Sequence, residues 1–575
     1  MKVRNLWLAG ALAAGGVALA PQPVHACGGF FCDNAQPVNQ AAERIIFTHN
    51  GDGTVTSVVQ ILYQGPAERF AWVLPVPGRP EVGVSSNLAF SRLQQGTNPS
   101  YQLTTSREGQ CREEVESDSF GRGPSASPGF SADAAAATDG GAAPPVTVVD
   151  SGSVGPYDYV TIALDPELDD PADVAVEWLL DNGYDVNDLG RERLGPYLSA
   201  GMNLIAFRLT KGNSDGTIRP IVLTYTGTRP MIPIRPTAVA ATDDMGVLVW
   251  VLGAHRAVPT NYRHLVLNEA LLNWFAPGSN YDDVVTEAAN EAGGQGFVTE
   301  DARPSSELPP VFFEWEAFDA RAFEGQSNFQ MVQQVLSTYS GWDGVNEVVR
   351  GFISPPEGIE PEVFYGCLFC YLSEELLAGL DREAFLTAIE EDVVAPMRAT
   401  QELLRSRPFS TRMYTTMSAA EMSIDPEFDL NPDLGAYSNQ HVADRVIECR
   451  RDVYSWEAPW RTTLPDGTVV RGRGNVWPFG LGADMPAVRV VEQTGTEGEP
   501  EEISNNSSAI SRSIADHNAA NPPGDIDGDG RPDPIRGVTL AGGGGGGGCS
   551  AGGAGASGFA IVLAALGFSR RRRRS

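Results

Sequence analysis

The residues best spaced for chemistry lie near the end of the chain, in Asp525-Ile-Asp527-Gly-Asp529-Gly-Arg531-Pro-Asp533. Carboxylates at loop positions 1, 3, 5 and 9, glycine at 6 and the Arg531 carbonyl at 7 form a short oxygen cage suited to calcium. An EF-hand also needs glutamate at position 12, where Arg536 stands, so a complete EF-hand is not expected. The competing reading is a solvated acidic spacer. Three histidines are the other candidates: His255 and His264, flanked by Arg256 and Arg263, and His441, close to Asp444 and Arg445. A general base of that type needs a carboxylate to orient it. His49 and His517 lie in polar surroundings and read as solvated. No Gly-x-Ser-x-Gly elbow, His-Glu-x-x-His zinc helix or phosphate-cradling glycine loop occurs.

Seven cysteines are present. Setting Cys549 aside with the tail leaves Cys27, Cys32, Cys111, Cys367, Cys370 and Cys449, an even set that favours disulfides in an oxidising compartment. Their pairing is open. Cys367-Leu-Phe-Cys370 also reads as a redox pair or half a zinc site, but no second pair at that spacing completes a zinc site. Haem attachment would need histidine where Tyr371 stands.

Both ends carry addresses. Lys2 and Arg4 precede an apolar run from Leu6 to Ala20, and Val24-His-Ala26 offers a small residue for cleavage. Residues 1–26 therefore read as a secretory signal peptide, with signal peptidase acting after Ala26. Lipidation of the resulting Cys27 would leave one cysteine unpaired. At the other end a glycine spacer leads to Cys549-Ser550, an apolar stretch from Phe559 to Phe568 and five arginines. Such a tail would hold the chain in a membrane with its arginines cytoplasmic before processing. Residues 549–575 resemble the MYXO-CTERM sorting signal of myxobacteria, which implies a C-terminal sorting protease, cleavage near Cys549 and surface attachment. The aspartate loop in turn resembles the calcium loops of thrombospondin type 3 repeats, here as a single copy.

The formal net charge of −32 excludes broad electrostatic binding to nucleic acid or anionic lipid. Removing both ends takes away Lys2, Arg4 and the terminal arginines without any acid, so the processed chain is more acidic still. Lysine otherwise occurs only at Lys211, leaving almost no amine for Schiff-base chemistry.

The elements that must position these residues divide the chain. Residues 27–310 read as a β-rich α+β domain interrupted by a low-complexity insertion at 117–149. Asn50-Gly-Asp-Gly53 predicts a hairpin, Asp170-Pro171 a helix start closed by Asn182-Gly183, and Gly246 to Leu252 a strand buried on both faces. Asn268 to Phe275 reads as helical and Thr237 to Ala241 as a strand. Residues 311–480 read as mainly helical, with Ser418-Ala-Ala-Glu421 in the form of a capping box. A short β segment is read at Thr462 to Arg471, turning at Pro465-Asp-Gly467. Residues 481–548 read as a disordered, acidic, glycine-rich stem. Trp72, Trp178, Trp250, Trp274, Trp315 and Trp456 have apolar neighbours and read as core. The expected class is α+β: an antiparallel β-rich first half, a mostly helical second half and the stem.

Cys27-Gly-Gly-Phe-Phe-Cys32, Phe70-Ala-Trp-Val-Leu-Pro-Val-Pro-Gly78, Arg229-Pro-Met-Ile-Pro-Ile-Arg235 and Met245 to Gly253 stand out as distinctive motifs. With Asn261-Tyr-Arg-His264 and Glu291-Ala-Gly-Gly-Gln-Gly-Phe297 they resemble the bacterial domain-of-unknown-function family 2330, over roughly residues 27–450. The resemblance implies no activity. The expectation is an exported, cell-surface-attached protein of binding, adhesion or envelope structure. Its competitors are an exported enzyme using His255, His264 or His441, and a redox role for Cys367 and Cys370.

Overall fold

Two glycines at positive φ, Gly51 and Gly53, turn the chain from strand β1 (Asn39–His49) into β2 (Thr54–Gln64), giving the expected antiparallel hairpin. The computed structural model describes residues 39–64, 71–112, 146–165, 168–184, 188–209, 218–239 and 241–524. All of them belong to one packing unit that ends at Pro532.

After the hairpin come β3 (Ala71–Val76), β4 (Glu81–Val84), helix α1 (Asn87–Thr97) and β5 (Ser100–Gly109). Strand β6 (Val146–Val154) takes the last residues of the stretch expected to be a low-complexity insertion, and pairs with β7 (Tyr157–Leu164). Helix α2 (Pro171–Asp181) starts and stops where its punctuation says: Asp170 accepts from the Asp173 amide, and Asn182 closes the last turn. Helix α3 (Asp188–Ser199), β8 (Asn203–Leu209) and β9 (Ile221–Thr226) follow. Ile234–Thr237 is a short helix, α4, so the strand read from Thr237 begins only with β10 (Ala241–Gly253). Beyond β11 (Arg256–Pro259) and β12 (Arg263–Leu267), the helix read over Asn268 to Phe275 is a single 3₁₀ turn, Glu269–Leu271. Helix α5 (Tyr281–Glu291) and β13 (Gly296–Pro304) complete this part.

The helical expectation for 311–480 holds only in part. Helices α6 (Asn328–Tyr339), α7 (Val345–Phe352), α8 (Pro361–Gly366), α9 (Leu368–Tyr371), α10 (Arg382–Ala388) and α11 (Ala395–Arg405) are present, the last two joined by a π-helical turn at Ile389–Val394. The chain then returns to β structure with β14 (Phe409–Met417), β15 (Phe428–Asn431), β16 (Gln440–Cys449), β17 (Pro459–Thr463) and β18 (Val469–Arg473). Ser418 and Glu421 do hydrogen-bond as in a capping box, amide to carboxylate at 2.7 Å, but they close a turn rather than open a helix. The stem is also shorter than expected, since β19 (Val488–Gln493), β20 (Glu501–Asn505) and helix α12 (Ser507–Ala520) are formed.

The principal sheet has ten strands in the order β20-β19-β12-β13-β14-β10-β1-β2-β9-β4. It is mixed rather than antiparallel, because β1 lies parallel to β10 and β12 parallel to β13. Strand β10 explains its own sequence. Leu248, Trp250 and Leu252 face a core made with α6, α7, α10 and α11, while Val247, Val249 and Val251 face a core shared with Trp72, Ile205 and Phe207 of a second sheet, β3-β8-β7-β6. A strand covered on both sides has no polar face to keep. A third core gathers α5, α12 and the sheet β18-β17-β16-β5. Residues 311–405 are thus inserted between two neighbouring strands, β13 and β14, of one sheet.

Trp72, Trp250 and Trp274 are core residues and Trp178 is half-buried. Trp315 and Trp456 are corrections: they are 73% and 38% exposed and stack instead on the surface rings of Phe313 and Tyr454. Among the described residues no helix is long and apolar enough to cross a membrane.

Candidate functional site

The register of β1, β10 and β14 sets three rows across one sheet face: Ala42, Gly246 and Thr416; Arg44, Leu248 and Tyr414; Ile46, Trp250 and Arg412. Side chains two apart on a strand share a face, so the three rows form one surface. The third row runs into the helical core at Ile46 and Trp250. The first two floor an open cleft of about 770 Å³, walled by Tyr281, Asp282 and Thr286 of α5 and by Gln94 and Tyr101. A β-carbon on Gly246 would lie 3.1 Å from the Tyr414 hydroxyl, so glycine there leaves this tyrosine its place.

Charge in the cleft is arranged in two tiers. Beneath it, Arg412 Nε donates to Glu300 Oε2 and Tyr281 Oη donates to Glu300 Oε1 at 2.7 Å. Arg412 also donates to Thr97 Oγ1 at 3.0 Å and to the Gln94 carbonyl at 3.2 Å, with its guanidinium over the Trp250 ring. Burial raises the Glu300 carboxyl above the usual range despite the adjacent cation. In the upper tier Arg44 donates to Gln60 Oε1 at 3.2 Å and forms no ion pair with a carboxylate among the described residues. Burial, and then repulsion from Arg412, hold its guanidinium below the ordinary range. Across from it Asp282 is hydrogen-bonded to Tyr414, and burial followed by its neighbour Asp283 raises its carboxyl.

Asp244 lines the same cleft and is the one non-glycine residue with positive φ among the described residues, at 55°. Its amide donates to Ser418 Oγ at 3.1 Å, which ties it to the turn after β14. Left-handed backbone at a non-glycine residue stores about 1–3 kcal/mol and tends to persist at binding and catalytic sites.

The histidines are not gathered into one site. His264 Nδ1 lies 2.8 Å from Glu492 Oε2, a cross-strand pair between β12 and β19, and is almost fully buried. His441 Nδ1 lies 2.6 Å from Glu269 Oε1, and its ring stacks on Tyr101 at 4.7 Å. His255 is exposed in the turn between β10 and β11. His441 lines a cavity of about 250 Å³ that shares Tyr101, Tyr281 and Glu300 with the cleft; neither serine nor cysteine lines it.

Disulfides join Cys111 to Cys449 and Cys367 to Cys370. Ala26, Cys27, Cys32 and Cys549, and the loop of Asp525, Asp527, Asp529, Arg531 and Asp533, lie outside the described residues. Among the described residues no group of three or more His, Cys, Asp or Glu is placed to hold a metal ion. The cleft residues Arg44, Arg412, Asp282 and Glu300 were not among the sequence candidates. For Arg44 the signal was a charged residue set against an apolar strand run, Arg44-Ile-Ile-Phe47.

A family described as "Uncharacterized protein conserved in bacteria (DUF2330)" matches residues 21–322, ending short of the boundary near 450 that the motifs suggest. No curated protein and no solved structure matches the chain. Arg44, Tyr101, Tyr281, Asp282 and Glu300 fall inside the matched stretch, whereas Arg412 and Tyr414 come from beyond it.

Proposed function

The chain belongs to this family of uncharacterized bacterial proteins, and from that premise we propose that it is an exported, surface-attached binding protein whose ligand enters the cleft above Arg44. Export and attachment are supported by the signal-like residues 1–26 and the sorting-like tail 549–575. The Cys111–Cys449 bond suits an oxidising compartment.

Binding rests on one observation. Arg44 is a half-buried guanidinium with no ion-pair partner among the described residues, open to a large cleft where Arg412 is already neutralised by Glu300. A fixed cation of this kind, facing Asp282 and Tyr414, suits a small polar ligand that offers an acceptor group to Arg44 and donor groups to the carboxylate. The separation of the histidines favours binding over hydrolysis.

Isothermal titration of the processed protein against small anionic saccharides and short peptides tests the reading. Binding is expected for wild type and lost in Arg44→Ala and Asp282→Asn. Binding unaffected by both substitutions, or absent across both ligand classes, overturns it.

The aspartate loop at 525–533 supports a further calcium site by its spacing alone. A second functional reading, an exported enzyme, has the His441–Glu269 pair behind it, since a carboxylate on Nδ1 fixes the ring's orientation and tautomer. Turnover abolished by His441→Gln would favour that reading.

A further inference from the structure

The two disulfides are built for different tasks. Cys111–Cys449 ties positions 338 residues apart, and both cysteines are half-buried against the third core. Cys367–Cys370 spans three residues, and both cysteines are exposed. A cross-link that closes so short a loop removes little entropy from the unfolded chain. It adds little anchoring to the folded one either. Phe364 is fully buried in the helical core and packs on Tyr371 with ring centroids 5.5 Å apart. Tyr365 donates to the Ile353 carbonyl at 3.0 Å and lies under the Arg350 guanidinium. Aromatic side chains hold α8 and α9 in place, and the sulfur bridge sits outside that contact.

We infer that Cys367 and Cys370 form a thiol–disulfide exchange site, whose bond accepts two electrons from an external dithiol while the fold stays intact. In the first step a thiolate of the dithiol bonds to one cysteine sulfur, the Cys367–Cys370 bond breaks, and the departing sulfur takes up a proton. In the second step the other thiol of the dithiol attacks the mixed disulfide. It displaces the protein sulfur, which is protonated in turn, and leaves the external dithiol as a disulfide.

The surroundings select the donor. Residues 350–382 carry six carboxylates against two arginines, Arg350, whose guanidinium lies over the Tyr365 ring, and Arg382. This field repels anionic thiolates and favours neutral or cationic ones. The inference stands apart from the cleft and from any ligand bound there.

Graded reduction of the native protein with dithiothreitol, followed by alkylation and peptide mass mapping, reads each cysteine separately. Cys367 and Cys370 are expected to open reversibly at concentrations that leave Cys111–Cys449 oxidised, with Tm unchanged. Cationic cysteamine should outpace anionic glutathione severalfold, with the ratio falling towards one in high salt. The double variant Cys367→Ser/Cys370→Ser should keep the wild-type Tm, which separates exchange from a structural role. The inference is overturned if the pair resists reduction until the protein unfolds, or if opening it or removing both cysteines lowers Tm as much as loss of Cys111–Cys449 does.

Discussion

Arg412 Nε meets Glu300 Oε2 at 2.5 Å, and the two side chains are only 4% and 1% exposed, so cation and carboxylate are each other's main compensation beneath the cleft. Removing one member strands the other. Arg412→Met, which leaves Glu300 buried without its cation, is expected to lower unfolding free energy by about 3–5 kcal/mol. Replacing both residues with apolar ones of similar volume should recover most of that loss. Urea denaturation of the single and double variants checks the pair, and a loss below about 1 kcal/mol in the single variant would contradict it.

Arg44 sits differently, because its charge is unfavourably placed when the cleft is empty. Arg44→Met should leave stability unchanged or raise it by up to about 1 kcal/mol while ligand binding is lost, the trade expected at a binding site. Gln60 keeps a partner in that variant through its bond to Asn87 Oδ1 at 2.7 Å. A Tm well below wild type would instead assign Arg44 a structural role.

Gly109 has φ near +85°, and a β-carbon there would come within 2.5 Å of the Cys449 carbonyl oxygen. Gly109→Ala should therefore lose at least about 2 kcal/mol, backbone strain and clash combined. Gly183→Ala is the matched control: φ is +77° with no atom within 4 Å, so only the left-handed strain of about 1 kcal/mol applies. Equal losses at the two positions would show that the contact with Cys449 does not matter.

Stability should rise on mild acidification. Burial raises the carboxyls of Asp282, Glu300, Asp301, Glu347, Asp392 and Asp425 in the folded state. The native protein therefore binds protons more tightly than the unfolded chain at these positions. Their contribution is fully present below the unfolded value of about 4 and is lost as pH rises through the folded values. Asp52, Glu108 and Asp319 are held low by hydrogen bonds and act in the opposite sense, giving up stability as pH falls through their lowered values. Thermal melts should show a higher Tm at pH 5 than at pH 7, then a decline in stronger acid. A Tm that falls steadily from pH 7 to pH 5 would refute this balance.

Local signals in the sequence carried through to structure, and long-range ones did not. Asp170 with Pro171, and Asn50 with Gly51 and Gly53, act on backbone a few residues away, so their hairpin and helix end are legible. Ser418 and Glu421 satisfy the local pattern of a helix start, but Asp244 draws the Ser418 hydroxyl into a turn. Residues 488–520 look unstructured because β20 is exposed throughout and α12 buries only Ile510 and Ile514 among its residues. Pairing with β19 forms that strand without an apolar face. The cleft was hidden for a similar reason. Arg44 shares a row with Tyr414 across Leu248, and Glu300 meets Arg412, through strand pairing that brings together residues far apart in the chain.

The insertion of residues 311–405 between β13 and β14 governs the order in which the chain can fold as it is made. Strand β10 emerges by Gly253, yet its neighbour on one side is β14, which is complete only at Met417. Strand β5 likewise waits for β16, and Cys111 for Cys449. Until then the middle of the main sheet is an open edge, able to pair with another nascent chain. A fragment that stops at residue 322, where family similarity ends, keeps that edge for good. Sheet pairing that joins residues so far apart in the chain is slow, and it leaves a long interval in which the nascent chain is still largely extended.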